Sequence, residues 1–170
     1  MNVDELRELQ APLKTRYRDE PQAAVVTLRA KGAIGQEGLA CRVETGRTLV
    51  EAGLHPATGG SGLQACSGDM LLEALAACAG VTLSAVATAL GVEVRQGTVE
   101  TEGDLDFRGT LGVAKEAPVG FRTIRLRFTL DTDADEEQLA TLLKLTERYC
   151  VVLQTLKTPA AIDATLVRAG

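Results

Sequence analysis

The sequence predicts an α+β domain, and two observations carry that expectation. Strand-like and helical stretches are segregated, in the order strands, helix, strands, helix, strand, rather than in strict βαβ alternation. Both long helical stretches, 67–90 and 131–157, carry their own start and stop signals. Strands grouped this way pair as antiparallel hairpins, which leaves the two helices to be buried against them.

The elements follow in order. Residues 3–17 set Leu6, Leu9 and Leu13 at helical spacing, interrupted by Pro12, and predict a short helix. "AAVVTLRA" (23–30) is β-branched and reads as a strand, "KGAIGQEG" (31–38) as a turn, and "LACRVET" (39–45) as the return strand of a hairpin. Residues 53–62, "GLHPATGGSG", read as loop. The first long helix then starts with Ser67 as cap and Asp69 in the first turn, where negative charge suits the macrodipole. It runs to Leu90, with Gly91 as its stop. From Leu71 to Leu90 its only charge is Glu73, which predicts a helix buried nearly all round. Alanines at 74, 76, 77, 79, 85, 87 and 89 permit close approach by neighbours.

Beyond that helix, 92–103 alternates weakly as a strand, and 104–113 reads as a further strand that holds a glycine. "FRTIRLRFTL" (121–130) alternates cleanly, Ile124, Leu126, Phe128 and Leu130 on one face and Thr123, Arg125, Arg127 and Thr129 on the other. The second long helix (131–157) has acidic residues in its first turn, Lys157 near its end and Pro159 beyond it. Leu139, Leu142, Leu143, Thr146, Cys150 and Leu153 share one stripe of it. "AIDATLV" (161–167) reads as a closing strand. The expected organisation is an N-terminal helical extension (1–21) and one domain (22–170), with no internal repeat.

Composition excludes several classes of function. At 170 residues, 45% of them hydrophobic and 24% charged, the chain has the balance of a globular domain with a proper core. Aromatics are 3% and Trp is absent, so that core is built from Leu, Val, Ala and Ile. A net charge of −5 argues against a general nucleic-acid surface, which needs clustered Lys and Arg. The polar, acidic "MNVDELRELQ" does not read as a secretory signal. No apolar run is expected to reach the roughly 18 residues of a membrane span. The expected location is cytoplasmic, with no membrane or nucleic-acid partner and with reduced thiols.

Four cysteines (41, 66, 78, 150) and one histidine (His55) are the reactive inventory. They form no C-x-x-C, so a closed zinc site is not expected, and no cofactor is called for. "HPATGGSG" lacks the Lys of a phosphate loop. His55, before a proline in a loop, reads as a turn residue or a general base. Glu147, Tyr149, Arg125 and Arg127 read as solvated or structural side chains. A free cysteine is often core filler. On field alone Cys66, at a helix N-terminus, is the better thiolate. Cys78 lies about three turns in and needs a cation from elsewhere. Twelve residues of helix separate Cys66 from Cys78 by roughly 18 Å, too far for a disulfide, whereas Cys78 and Cys150 lie on two helices that can pack together.

"CSGDMLLEALAACAGVTL" (66–83), followed by "LTERYCVVLQTL" (145–156), resembles the OsmC/Ohr family over about residues 22–167. The pattern is a leucine-rich helix ending in A-x-x-C, then strands, then a second helix with a second Cys. The resemblance implies an OsmC-like fold, antiparallel sheets wrapped around two long central helices in an intertwined homodimer. It implies a thiol-dependent peroxidase for organic hydroperoxides, with Cys78 as peroxidatic nucleophile, Cys150 as resolving thiol and an external dithiol as reductant. Asp69 would be the carboxylate that orients an activating Arg. Family peroxidases take that Arg from an early loop. Here the turn offers Lys31, flanked by Arg29 and Arg42. "CVVLQ" also lacks the Pro-Tyr that follows the second Cys in the organic hydroperoxide branch. Two other classes remain open: a non-catalytic binding protein for a lipid or small acid on the same fold, and a thiol enzyme using Cys66.

Overall fold

A computed structural model describes residues 2–5, 8, 10, 11, 15, 19, 31–34, 40–45, 48–112 and 114–168. The described positions between 3 and 19 are helical, and Asn2 and Glu5 cap that segment reciprocally, each side chain accepting from the other's amide at 2.9 Å. The strand expected at 23–30 lies outside the described residues.

Four strands form the first sheet in the order β1 (Lys31–Ile34), β2 (Ala40–Thr45), β3 (Thr48–Gly53), β4 (Ala65–Cys66). The expected hairpin is present but shifted. Residues 31–34, read as turn from their glycine content, are themselves a strand, paired antiparallel with β2 from Lys31 opposite Glu44 to Ile34 opposite Cys41. β3 returns against β2, and the two-residue β4 joins it in parallel, Ala52 opposite Ala65.

α1 (Ser67–Leu90) follows directly. Its N-cap is Cys66 rather than Ser67, and no side chain caps the first turn. At the other end Gly91 takes φ +69°, the left-handed conformation that closes a helix, with the Val92 amide returning to the Ala87 carbonyl at 2.9 Å.

β5 (Gln96–Asp104) and β6 (Thr123–Asp131) form a second, antiparallel sheet in full register from Gln96 opposite Asp131 to Asp104 opposite Thr123. β6 alternates as its sequence predicts, with Ile124, Leu126, Phe128 and Leu130 turned inward and the intervening residues exposed. Arg125, on the outer face, pairs with Glu102 at 2.9 Å and with Asp104. The strand expected over 104–113 is absent. Asp106 accepts from the Arg108 amide and caps a single helical turn, α2 (Phe107–Thr110), because its side chain offers the backbone a local partner.

The second long helix is two helices. α3 (Glu136–Tyr149) starts with a reciprocal cap between Asp135 and Gln138, and α4 (Val151–Lys157) starts after a break at Cys150. The expected last strand is also absent. Residues 159–168 form neither strand nor helix, and Ile162, Leu166 and Val167 are exposed.

The core lies between α1, the β5–β6 sheet and the α3–α4 pair. One cluster joins Leu83, Val86, Ala87, Val92 and Leu142, and a second joins Leu75, Ala79 and Cys150. Phe128 packs against both. Burying a leucine such as Leu75 or Leu142 is worth about 2 kcal/mol. α1 is not buried all round, contrary to its composition. Its inward stripe is Leu75, Ala79, Leu83, Val86 and Ala87, while Ala74, Ala77, Ser84 and Val81, which is 73% exposed, face out. It also corrects the expectation about apolar runs, because by length and composition α1 is apolar enough to cross a membrane.

Candidate functional site

The break at Cys150 organises the site. Cys150 has φ −72°, ordinary for a helix, but ψ 107°, which swings the following chain off the helix axis. The Cys150 amide still donates to the Thr146 carbonyl at 3.0 Å, and the Gln154 amide donates to the Cys150 carbonyl at 2.9 Å. Between those two bonds, the amides of Val151, Val152 and Leu153 begin a new helix and lack the carbonyl one turn behind them. The carbonyl of Glu147, released by the same break, accepts from Gln154 Nε2 at 2.7 Å. Buried backbone groups need partners, so the freed amides must be satisfied elsewhere.

The sulfurs of Cys78 and Cys150 lie where these amides act on them. α1 carries Cys78, half-buried, against the cluster of Leu75, Ala79 and Cys150. Burial by itself pushes the Cys78 thiol up. The Val152 amide, the Cys150 thiol and the Val151 amide all donate to Cys78 Sγ, outweigh that burial and hold it below a free thiol. The Thr82 hydroxyl also reaches the sulfur, but its single proton is held by the Cys78 carbonyl at 2.7 Å, so the amides and the second thiol carry the effect. Cys150 is fully enclosed, and that burial raises it. The Leu153 amide opposes the rise, and the bond to Cys78 and the negative charge there reinforce it. The pair therefore divides its protons unevenly. Of the two, Cys78 is the readier to ionise. A half-exposed sulfur of lowered pKa is a nucleophile, and the adjacent thiol can trap what it becomes.

Sequence reasoning nominated Cys66 because helix-start amides favour thiolates, and assigned Cys78 a distant cation. The same rule applies at Cys78, through a helix start that lies 73 residues further along the sequence and next door in the fold. The only trace of it in the sequence is the β-branched pair Val151–Val152 after Cys150. Among the described residues no cation bears on Cys78.

The other nominated residues are dispersed. Asp69 is exposed in the first turn of α1 and makes no hydrogen bond or ion pair among the described residues. Nine helical residues place it about 13 Å from Cys78 along the axis and on the opposite side. Arg29 and the side chains of Lys31, Cys41 and Arg42 lie outside what is described. Cys66 and His55 line a separate cleft of about 400 Å³ with Leu71, Leu105, Phe107 and Phe121, and the His55 ring stacks on Phe107 at 4.8 Å. Glu147 pairs with Lys157 at 3.2 Å, and Tyr149 faces solvent beneath the Arg148 guanidinium. Among the described residues no cluster of His, Cys, Asp and Glu is arranged to hold a metal ion.

Fold and thiol pair together define a class, a domain of two sheets and a long helix that carries one cysteine, with a second cysteine facing it from the break between two further helices. The chain belongs to the OsmC-like protein family, whose model matches residues 60–165. No curated protein matches the sequence. Solved structures share the fold at low identity. An OsmC-like protein from Mycoplasma pneumoniae superposes with a TM-score of 0.65 at 16% identity, over 79% of this chain and 89% of that one. An organic hydroperoxide resistance protein OsmC from Legionella pneumophila gives 0.61 at 18%, over 79% and 92%. An organic hydroperoxide resistance protein from Elizabethkingia anophelis gives 0.63 at 15%, over 80% and 91%.

Proposed function

We propose that this protein is a thiol-dependent peroxidase that reduces organic hydroperoxides. The observation that carries the reading is the contact between Cys78 and Cys150, with the first thiol lowered and the second raised. In the proposed cycle the Cys78 thiolate attacks the distal oxygen of R–O–O–H. The O–O bond breaks, the alkoxide leaves as ROH after taking a proton, and Cys78 becomes a sulfenic acid. Cys150 then attacks the Cys78 sulfur, the S–O bond breaks, and the hydroxide leaves as water with the Cys150 proton. An external dithiol reduces the disulfide. Two neighbours bear names of organic hydroperoxide resistance proteins, which fits this chemistry. The cycle suits a reducing compartment, hence the cytoplasm.

The working form in this reading is a homodimer. The outward face of α1, with Ala74, Ala77, Val81 and Ser84, supports it, because an apolar helix face of that kind needs a cover in water. Asp69 acts, in this reading, on an activating cation rather than on sulfur, since it stands on the far side of α1 from Cys78.

The test treats fully reduced protein with one equivalent of cumene hydroperoxide, quenches by alkylation and maps each thiol by mass spectrometry. A Cys78–Cys150 disulfide formed within seconds is the expected result. Cys78 still alkylatable after minutes sinks the peroxidase reading and directs attention to a bound small molecule instead.

A further inference from the structure

Thr146 is the described side chain that the cycle leaves unexplained. It is 1% exposed, and its hydroxyl has no hydrogen-bond partner. Such a group loses its water without replacement, a real cost to folding. A threonine within a helix usually escapes that cost by donating to the carbonyl one turn back, as Thr82 and Thr88 do in α1. Thr146 does not. It stands one turn before Cys150 on the buried stripe of α3, and the helical φ of Cys150 keeps both on one face. Cys150, in turn, has a hydrogen to lose in a site closed to water.

We infer that Thr146 is a positioning residue for the resolving thiol, its hydroxyl donating to Cys150 Sγ as that sulfur gives up its proton. The inference rests on the peroxidase reading for its place in the cycle. While Cys150 is a neutral thiol it donates to Cys78, and the Thr146 hydroxyl has nothing to serve. When Cys78 is a sulfenic acid, Cys150 attacks its sulfur, the S–O bond breaks, and the Cys150 proton departs with hydroxide as water. Negative charge then passes through Cys150 Sγ in a dry cluster, where one charge-assisted bond counts most.

The test compares wild type, Thr146→Val and Thr146→Ser, all carrying Cys41→Ser and Cys66→Ser. Cumene hydroperoxide reads the two steps separately, as loss of the Cys78 thiol and as appearance of the disulfide. A second assay loads Cys78 with thionitrobenzoate from Ellman's reagent and follows its release by Cys150, which needs no peroxide. Thr146→Val, nearly isosteric, is expected to keep or raise Tm and to leave Cys78 oxidation unchanged. It slows disulfide formation and thionitrobenzoate release about tenfold, the worth of one bond to a charged sulfur, and Thr146→Ser restores both. Release by Thr146→Val at the wild-type rate overturns the inference. So does slowing that Thr146→Ser fails to repair, which marks a packing role. If Cys78 resists peroxide while thionitrobenzoate release still depends on Thr146, the peroxidase reading fails and the role of Thr146 stands.

Discussion

Cys78 and Cys150 differ in two ways that assign them different chemistry. One is half-exposed and lowered, the other enclosed and raised. Cys78→Ser is expected to abolish peroxide turnover, measured as hydroperoxide consumption with excess dithiol. Cys150→Ser is expected to keep the first oxidation and to leave a sulfenic acid that dimedone traps and mass spectrometry counts. The pH profile follows from the sign of the shift. A lowered pKa means the thiolate persists to lower pH than in a free cysteine. The rate of Cys78 oxidation should rise with pH and reach its plateau below the roughly 8.5 of an unperturbed thiol. A midpoint at or above that value removes the amides as the cause of activation. The two cysteines were legible in the sequence as a pair on neighbouring helices. Their inequality was not, because it depends on which sulfur the amides reach.

Elements carry the next prediction. The turn from α3 into α4 suits a proline at 151. Position 151 opens a helix, where a missing amide is tolerated, and Cys150 already has the extended ψ that a residue before proline prefers. Val151→Pro should therefore fold with a Tm near wild type. It should also remove one donor from Cys78 and raise the midpoint of its thiolate absorbance. A protein that folds and shows no such rise argues that the Val151 amide is idle. The break itself shows where pattern reading stops. The stripe Leu142, Thr146, Cys150 is continuous at helical spacing, and it is buried as that spacing predicts. Periodicity reports which side faces the core, and it is blind to one residue whose ψ departs from the helix. The strand expected over 104–113 failed for a different reason, since Asp106 offers the backbone a side-chain partner and diverts it into a turn.

At the scale of the whole molecule, α1 is the element whose burial the sequence overstated. Its composition predicts cover on every side, and one chain supplies cover on one side. If the proposed homodimer forms through this face, Val81→Glu at its centre should leave the chain folded by circular dichroism and shift its elution from the mass of two chains to that of one. Unchanged elution as two chains places the interface elsewhere. The fold class and the clean alternation of β6 were readable because both follow from local periodicity. The shifted hairpin at 31–45 and the unpaired segment 159–168 were not, because strand pairing is decided by neighbours distant in sequence.

The enclosure of Cys150 also gives the proposed cycle a direction of traffic. A sulfur with no solvent contact cannot be met by a reductant from outside. A dithiol must open the disulfide at Cys78 and expel Cys150. A thiol whose pKa is raised is a reluctant leaving group, so the return to the reduced state depends on the proton that Cys150 recovers as it departs. Oxidant and reductant thus enter by one door, and the rate of re-arming belongs to the sulfur that neither of them touches.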